Sequence, residues 1–322
     1  MAKKSKRTKA QKQRSKRIAQ QRHLVLCYGD NIAGNVADAV KLAGAAAGTL
    51  TLASALSASP AHALPQDGTV VGGNATISQT NAATMTINQS SNRAAINWTG
   101  YSIGANESVR YIQPGSNSIA LNRVTGQDPS FIYGKLSSNG QVWVINPNGL
   151  LVGAGAQVQT GSFLASTMNI GTDDFMAGKG VLSGTPGSLA SIINKGNIQA
   201  ADGGYVVLAA PTVSNEGSIV ANLGKVHLAS GDAITLNFAG SDLIDLVVSD
   251  KAAADALGVK NRGTITADGG QVVLTARVAT DLLKNVVNNE GIIQARSIVE
   301  KNGAIFLDGG ENGTSVSWQL AA

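Results

Sequence analysis

The chain has 322 residues, with 4% aromatics, 38 glycines and a formal charge of +5. That length can hold two ordinary domains or one elongated repeat domain, and so much glycine with so few aromatics suits a coil of short strands and tight turns better than a compact enzyme. The basic balance is local: residues 1–22 carry ten Lys/Arg and no acid, whereas residues 64–322 hold 14 basic against 18 acidic groups, a net of −4, which removes the electrostatic case for a nucleic-acid partner.

Residues 1–63 read as an extended export signal. A basic segment precedes an apolar run from Ala39 to Leu56, and Pro60-Ala61-His62-Ala63 places small residues at the two cleavage-specifying positions, so cleavage is expected between Ala63 and Leu64. The alternative is an uncleaved Ala/Gly-rich anchor helix; the many small residues and Lys41 argue against stable anchoring. Cys27 follows Leu26, which makes it a poor lipidation site, and it leaves with the leader. What remains has no thiol for a disulfide or for thiolate chemistry.

From Leu64 to Asn92 the chain is polar and weakly alternating, with Val70, Ala75, Ile77, Met85 and Ile87 as its apolar positions. Ala95–Ile103 and Ser108–Ile112 follow as alternating strands with glycine-containing breaks. Trp98 is expected in the core, since an aromatic within such an alternation is more often buried than displayed. Gln141–Ile145 and Leu150–Val152 are β-prone and separated by Asn146-Pro147-Asn148-Gly149. Pro147 fixes φ at the second turn position, Asn148 tolerates the left-handed region and Gly149 closes the turn, so a tight corner between two strands is expected.

Beyond Met168 the chain repeats. Segments beginning at Ile193, Val213, Val259 and Val287 each carry an asparagine two residues before a glycine (Asn194, Asn215, Asn261, Asn289), an isoleucine two residues after it, a second turn and an alternating apolar pair. The inward set is expected to be Ile198, Ile219, Ile265 and Ile293 on one face, with Val206/Leu208, Val226/Leu228, Val272/Leu274 and Ile305/Leu307 on another. No such repeat buries its apolar face alone, so successive coils must stack. A coil of about 21 residues predicts roughly 11 coils and a rod on the order of 50 Å at ~4.8 Å per strand. The recurrent asparagines could form an amide ladder along one corner or simply favour their own turns. Ser241–Gly258 breaks the period: Leu243, Leu246, Val247 and Asp250 have helical spacing, with Ser241 or Asp242 as cap, while Leu246–Val248 leaves a pair of strands open. Thr280–Val286 is a smaller excursion of the same type.

The ordered set ALNRVTG, SFIYGKL, NGQVWVINPNG and GSFLASTMNI, between Ala120 and Ile170, resembles the N-terminal secretion domain of filamentous haemagglutinin-type exoproteins, the passengers of two-partner secretion, on the high-molecular-weight adhesin branch. The resemblance implies an all-β fold, a single-stranded right-handed parallel β-helix with an N-terminal cap and a short helical or strand insertion. It divides the chain into a signal peptide (1–63), a cap (64–92), a secretion-domain core (93–240), an insertion (241–258) and C-terminal coils (259–322). It implies that Asn146, Pro147, Asn148 and Gly149, with Asn122 and Arg123 of the first motif, form a structural turn that an outer-membrane transporter, a 16-stranded barrel with periplasmic domains, recognises. Strand addition is the implied mode, and substitution of Asn146 or Asn148 should reduce release more than stability. The Sec machinery is the implied partner before the periplasm, and the destination is the medium or the outer cell surface. The haemagglutinin branch carries a second Asn-Pro-Asn upstream, which this sequence lacks, and the large downstream adhesive repeats are missing from it, so a host-cell or surface glycan ligand is the weakest implication.

A search for chemistry returns little. His227, the only histidine of residues 64–322, lies between Val226 and Leu228 and is expected to face solvent on an alternating strand. There is no metal-ligand spacing and no nucleophile elbow or phosphate-cradling loop. Asp202, Asp268 and Asp308 sit in Asp-Gly turns, where the turn itself accounts for them, and Asp173-Asp174 reads as a polar loop. No cofactor and no catalysis are expected. The leading reading is a non-enzymatic secreted exoprotein; the alternatives are a β-helical carbohydrate-active enzyme, or an exoprotein that binds haem or a host protein.

Overall fold

A computed structural model of the protein describes residues 64–237, 245–250, 258–276, 287–296, 303–308 and 316–319. The leader with Ala63 and Cys27, the Ser241/Asp242 cap and the Thr280–Val286 excursion lie outside these residues. Three long sheets run along the described chain. The ten-stranded sheet takes, in spatial order, Thr69–Gly72, Arg93–Trp98, Ile119–Val124, Gln141–Ile145, Ser162–Ser166, Tyr205–Ala210, Lys225–Ser230, Gln271–Ala276, Ala304–Asp308 and Val316–Gln319. A nine-stranded sheet runs from Ala75–Asn81 to Ile292–Gln294, and a six-stranded one from Ser130–Ile132 to Val287–Asn289. The chain visits the six-stranded, nine-stranded and ten-stranded faces in turn, and every strand between the two ends pairs in parallel with its counterpart one coil on. This is a parallel β-helix, right-handed as crossovers between parallel strands of one sheet are.

The winding is dictated by a column code. On the nine-stranded face Met85, Val109, Leu136, Val158, Ile198, Ile219, Ile265 and Ile293 stand in one register line. On the ten-stranded face Val206, Val226, Val272 and Ile305 form one inward line and Leu208, Leu228, Leu274 and Leu307 another. These lines meet in a single apolar core, so the expected inward set holds. Trp98 belongs to that core. Eight parallel strands of the ten-stranded sheet are described, which at ~4.8 Å per step is a run of about 34 Å. The expected 11 coils and 50 Å are too many, because residues assumed to wind are spent in excursions and in antiparallel strands at both ends. At the first end Thr69–Gly72 runs antiparallel to Arg93–Trp98 and Ala75–Asn81 to Thr84–Gln89; at the other, Val316–Gln319 runs antiparallel to Ala304–Asp308.

The asparagine ladder exists. Asn194 Nδ2 donates to Asn215 Oδ1 at 2.8 Å, Asn215 to Asn261 at 2.7 Å and Asn261 to Asn289 at 2.7 Å. Ile132 and Val152 occupy the same register line in the two coils before it, so the column changes from apolar to amide at Asn194. Asn194 also accepts from its own turn, Gly196 N to Oδ1 at 3.1 Å; ladder and turn coexist. The residues that follow the ladder alternate in sign, Lys195, Glu216, Arg262 and Glu290, with ion pairs of 3.7 Å (Lys195–Glu216) and 2.7 Å (Arg262–Glu290). Next to them Gly196, Gly217, Gly263 and Gly291 stack so closely that a Cβ on any of the last three would collide with the carbonyl oxygen of the glycine before it. Glycine here is a requirement of backbone approach.

Two excursions cover the outer face of the ten-stranded sheet. The first holds helix α1 (Thr172–Met176) and strand Val181–Ser183; the second pairs Ala233–Asn237 with Asp245–Asp250, and the three strands make a small antiparallel sheet. Residues 245–250 are therefore a strand, with Leu246 opposite Leu236 and Val247 opposite Thr235; the helical spacing of Leu246 and Val247 gives way to cross-strand pairing. Asp173 and Asp174 lie in the first turn of α1 and not in a loop, where their charge suits the helix dipole. Phe175, Leu182, Ile234 and Leu236 close over Trp143, Leu164 and Val207 as a second apolar cluster. His227 stands in that outward line between Val207 and Val273 and is 3% exposed. The excursions bury it, contrary to the solvent-facing expectation.

Candidate functional site: a corner built by asparagines

The corner between Gln141–Ile145 and Leu150–Val152 is built by its own asparagines. Gly149 N donates to Asn146 O at 3.0 Å, closing the turn, and Gly149 has φ 110°, which a side chain would resist. Asn148 N donates to Asn146 Oδ1 at 2.9 Å, an Asx turn inside the β-turn. The Asn146 amide then reaches sideways: Nδ2 donates to Asp128 O and to Ser130 Oγ, both at 2.9 Å. Asn148 Nδ2 donates to Gly126 O at 2.9 Å. Both side chains thereby fasten the corner to the 126–130 loop of the preceding coil. Asn146 is fully buried, Asn148 half-buried and Pro147 exposed.

That distribution separates roles which the sequence motif merges. The carboxamide of Asn146 has its donors and acceptor engaged within the fold, so it positions the corner and offers nothing to a partner. The exposed surface is the Pro147 ring and the flank of Asn148.

Asn122 and Arg123 do not belong to a turn. Both lie within strand Ile119–Val124 and their side chains leave by opposite faces. Asn122 points into the helix, in a register line with Ile96 and Val144, and is fully buried. Its Oδ1 accepts from Trp98 Nε1 at 3.0 Å and Tyr111 Oη at 2.6 Å, its Nδ2 donates to Trp143 O at 3.1 Å, and Tyr111 in turn meets Tyr101 Oη at 3.0 Å. Burial raises the pKa of both tyrosines, so the network stays neutral at physiological pH. Arg123 goes outward and clamps the first excursion: Nη2 donates to Ile170 O at 2.6 Å, Nε to Asn169 Oδ1 at 2.9 Å, and Nη1 to Thr172 Oγ1 at 3.2 Å and Asn97 Oδ1 at 3.1 Å. Partial burial lowers its pKa, yet four acceptors hold the guanidinium. Arg93 does the same for α1, donating to Phe175 O at 3.1 Å with its guanidinium 5.2 Å from the ring centroid. Sequence reasoning missed this pair of clamps; the signal was an arginine and an asparagine (Arg123, Asn97) at the outward positions of adjacent strands. Leu64, the residue after the expected cleavage point, is 4% exposed and packs in the core.

Among the described residues no group of three or more His, Cys, Asp or Glu could hold a metal ion. The Asp-Gly turns have Gly203 and Gly269 at φ 79° and 66°. Asp268 is turned onto the next coil, accepting from Arg296 N at 2.9 Å and Nη2 at 2.6 Å, and the hydrogen bond from Arg296 holds its carboxyl below the usual range.

The chain is 35% identical over 256 residues to a heme/hemopexin-binding protein of Haemophilus influenzae, covering 77% of this chain and 27% of that protein, and 33% identical over 265 residues to a second protein of that name and organism, covering 76% and 28%. It thus spans little more than a quarter of the length of these relatives. The solved HMW1 secretion domain from Haemophilus influenzae superposes with a TM-score of 0.68 at 36% identity, covering 77% of this chain and 63% of that one. The model of the TPS secretion domain matches residues 61–317, the corner and the ladder included, and the chain belongs to that family.

Proposed function

We propose that this chain is the export module of a secreted exoprotein of a Gram-negative two-partner system. After passage through the Sec machinery and cleavage between Ala63 and Leu64, it is recognised in the periplasm by an outer-membrane transporter, a 16-stranded barrel with periplasmic domains, and delivered to the medium or the outer cell surface. The family match over residues 61–317 carries this reading, and the pinned corner with its exposed proline supplies a fixed surface for recognition. Residues 64–92 serve as the cap, 93–240 as the secretion core, 241–258 as an insertion and 259–322 as the terminal coils. The module binds and is carried; it does not catalyse.

The test is co-expression with and without such a barrel. Pro147→Ala is expected to keep the melting temperature while release into the medium falls several-fold, whereas Asn146→Ala destabilises by about 1–3 kcal/mol because three backbone or side-chain partners lose their bond. Equal release without the barrel, or normal release of Pro147→Ala, counts against the scheme.

The heme/hemopexin-binding relatives favour haem capture as a second reading. His227 is the only histidine in 64–322 and is buried, so that segment is expected to give no histidine-ligated haem spectrum on titration with haemin. A shifted Soret band at one equivalent would place capture in this domain.

A further inference from the structure

The outer face of the nine-stranded sheet is bare among the described residues, unlike that of the ten-stranded sheet. Along it lies an open groove of about 710 Å³, crossing four consecutive strands. Its polar wall is one register line, Arg110 opposite Ser137, Ser137 opposite Gln159, Gln159 opposite Gln199. These four side chains project outward, and none makes a hydrogen bond or ion pair within the described chain. Beside this row lie Ser138 and Asn139, which are hydrogen-bonded to Gln113 within the fold, and the apolar or bare positions Ile112, which is 42% exposed, and Gly161. Thr160, next to Gln159 but on the inward side of the strand with Val158, is 4% exposed and its hydroxyl has no hydrogen-bond partner. No carboxylate lines the groove.

We infer that this groove binds a neutral polysaccharide running along the helix axis. Two carboxamides each offer donor and acceptor, the serine hydroxyl does both, and the guanidinium supplies a fork of donors, a set that matches the paired hydroxyls of sugar rings. Ile112 and the exposed backbone offer apolar contact for the C–H faces. The strands repeat at ~4.8 Å, so the row spans about 14 Å, enough for several sugar units and open at both ends, as a polymer requires. With a net charge of −4 on residues 64–322, an anionic polymer is disfavoured. Without a carboxylate pair the groove cannot hydrolyse what it holds.

Affinity electrophoresis of the leaderless chain through gels containing dextran, yeast mannan, arabinogalactan or polygalacturonate tests this. Retardation is expected by at least one neutral polymer, unchanged at about 0.5 M NaCl, where exposed charges are screened. It should weaken at least tenfold in Gln159→Ala/Gln199→Ala and in Arg110→Gln, and persist in Lys225→Gln on the ten-stranded sheet. All the substituted side chains are solvent-facing, and unaltered melting curves confirm that the variants fold. Retardation by polygalacturonate alone, by none of the polymers, or to the same extent in wild type and the double variant overturns the inference.

Discussion

Asn215→Leu is expected to lower the unfolding free energy by about 2–4 kcal/mol. The side chain is fully buried and sits mid-ladder, accepting from Asn194 and donating to Asn261. A leucine of similar volume fills the space but breaks both rungs and leaves one amide N–H and one amide oxygen unpaired, in a setting where an orphaned polar group costs more than a made bond contributes. Asn289→Leu is the control, because the end position only accepts, from Asn261, and is half-exposed; its loss should be about 1 kcal/mol or less. Urea denaturation of the leaderless chain gives both values. Equal losses at the two positions would show that each asparagine acts through its own turn and that the ladder adds nothing.

The second large effect belongs to Asn122. Substitution by leucine should cost about 3–5 kcal/mol, although Ile96 and Val144 beside it in the same line are apolar. The reason is what Asn122 holds: the indole N–H of Trp98, the hydroxyl of Tyr111 and the carbonyl of Trp143. All lie in the interior, so none can turn to water. Adding Tyr111→Phe to Asn122→Leu should return nothing, because Tyr111 can still bond Tyr101 and its loss leaves the buried Tyr101 hydroxyl without a partner. Thermal unfolding followed by tryptophan fluorescence reads the series. A neutral Asn122→Leu would mean that the buried network is dispensable. The same measurement interprets export: release of Asn122→Leu is expected to fail with stability, which distinguishes it from Pro147→Ala.

The inward columns were legible because strand periodicity is two and each coil ends on a glycine with no room for a side chain, so Ile198, Ile219, Ile265 and Ile293 could be aligned by inspection. The corner was legible from Pro147 and Gly149, whose residue types have one conformational use, whereas Asn148 stays out of the left-handed region and serves through its hydrogen bonds. The outer layer was not anticipated, and His227 was misplaced with it. Yet the signal was present: runs such as Val142-Trp143-Val144-Ile145 and Tyr205-Val206-Val207-Leu208 are apolar at outward as well as inward positions, the mark of a sheet covered on both faces. Residues 245–250 were ambiguous because a short apolar run fits either period, and only the pairing partner, Ala233–Asn237, decides. The place of Asn122 could not be read, since an asparagine in an alternating strand is ordinarily solvated and its partners come from three different strands.

The signed residues beside the ladder have a consequence for how such a chain can change length. Glycine and asparagine recur every turn, so by them alone a single turn is an interchangeable part. Lys195, Glu216, Arg262 and Glu290 recur only every second turn, so duplication or excision of one turn sets two like charges against each other along the edge, while a pair of turns can be gained or lost with the parity intact.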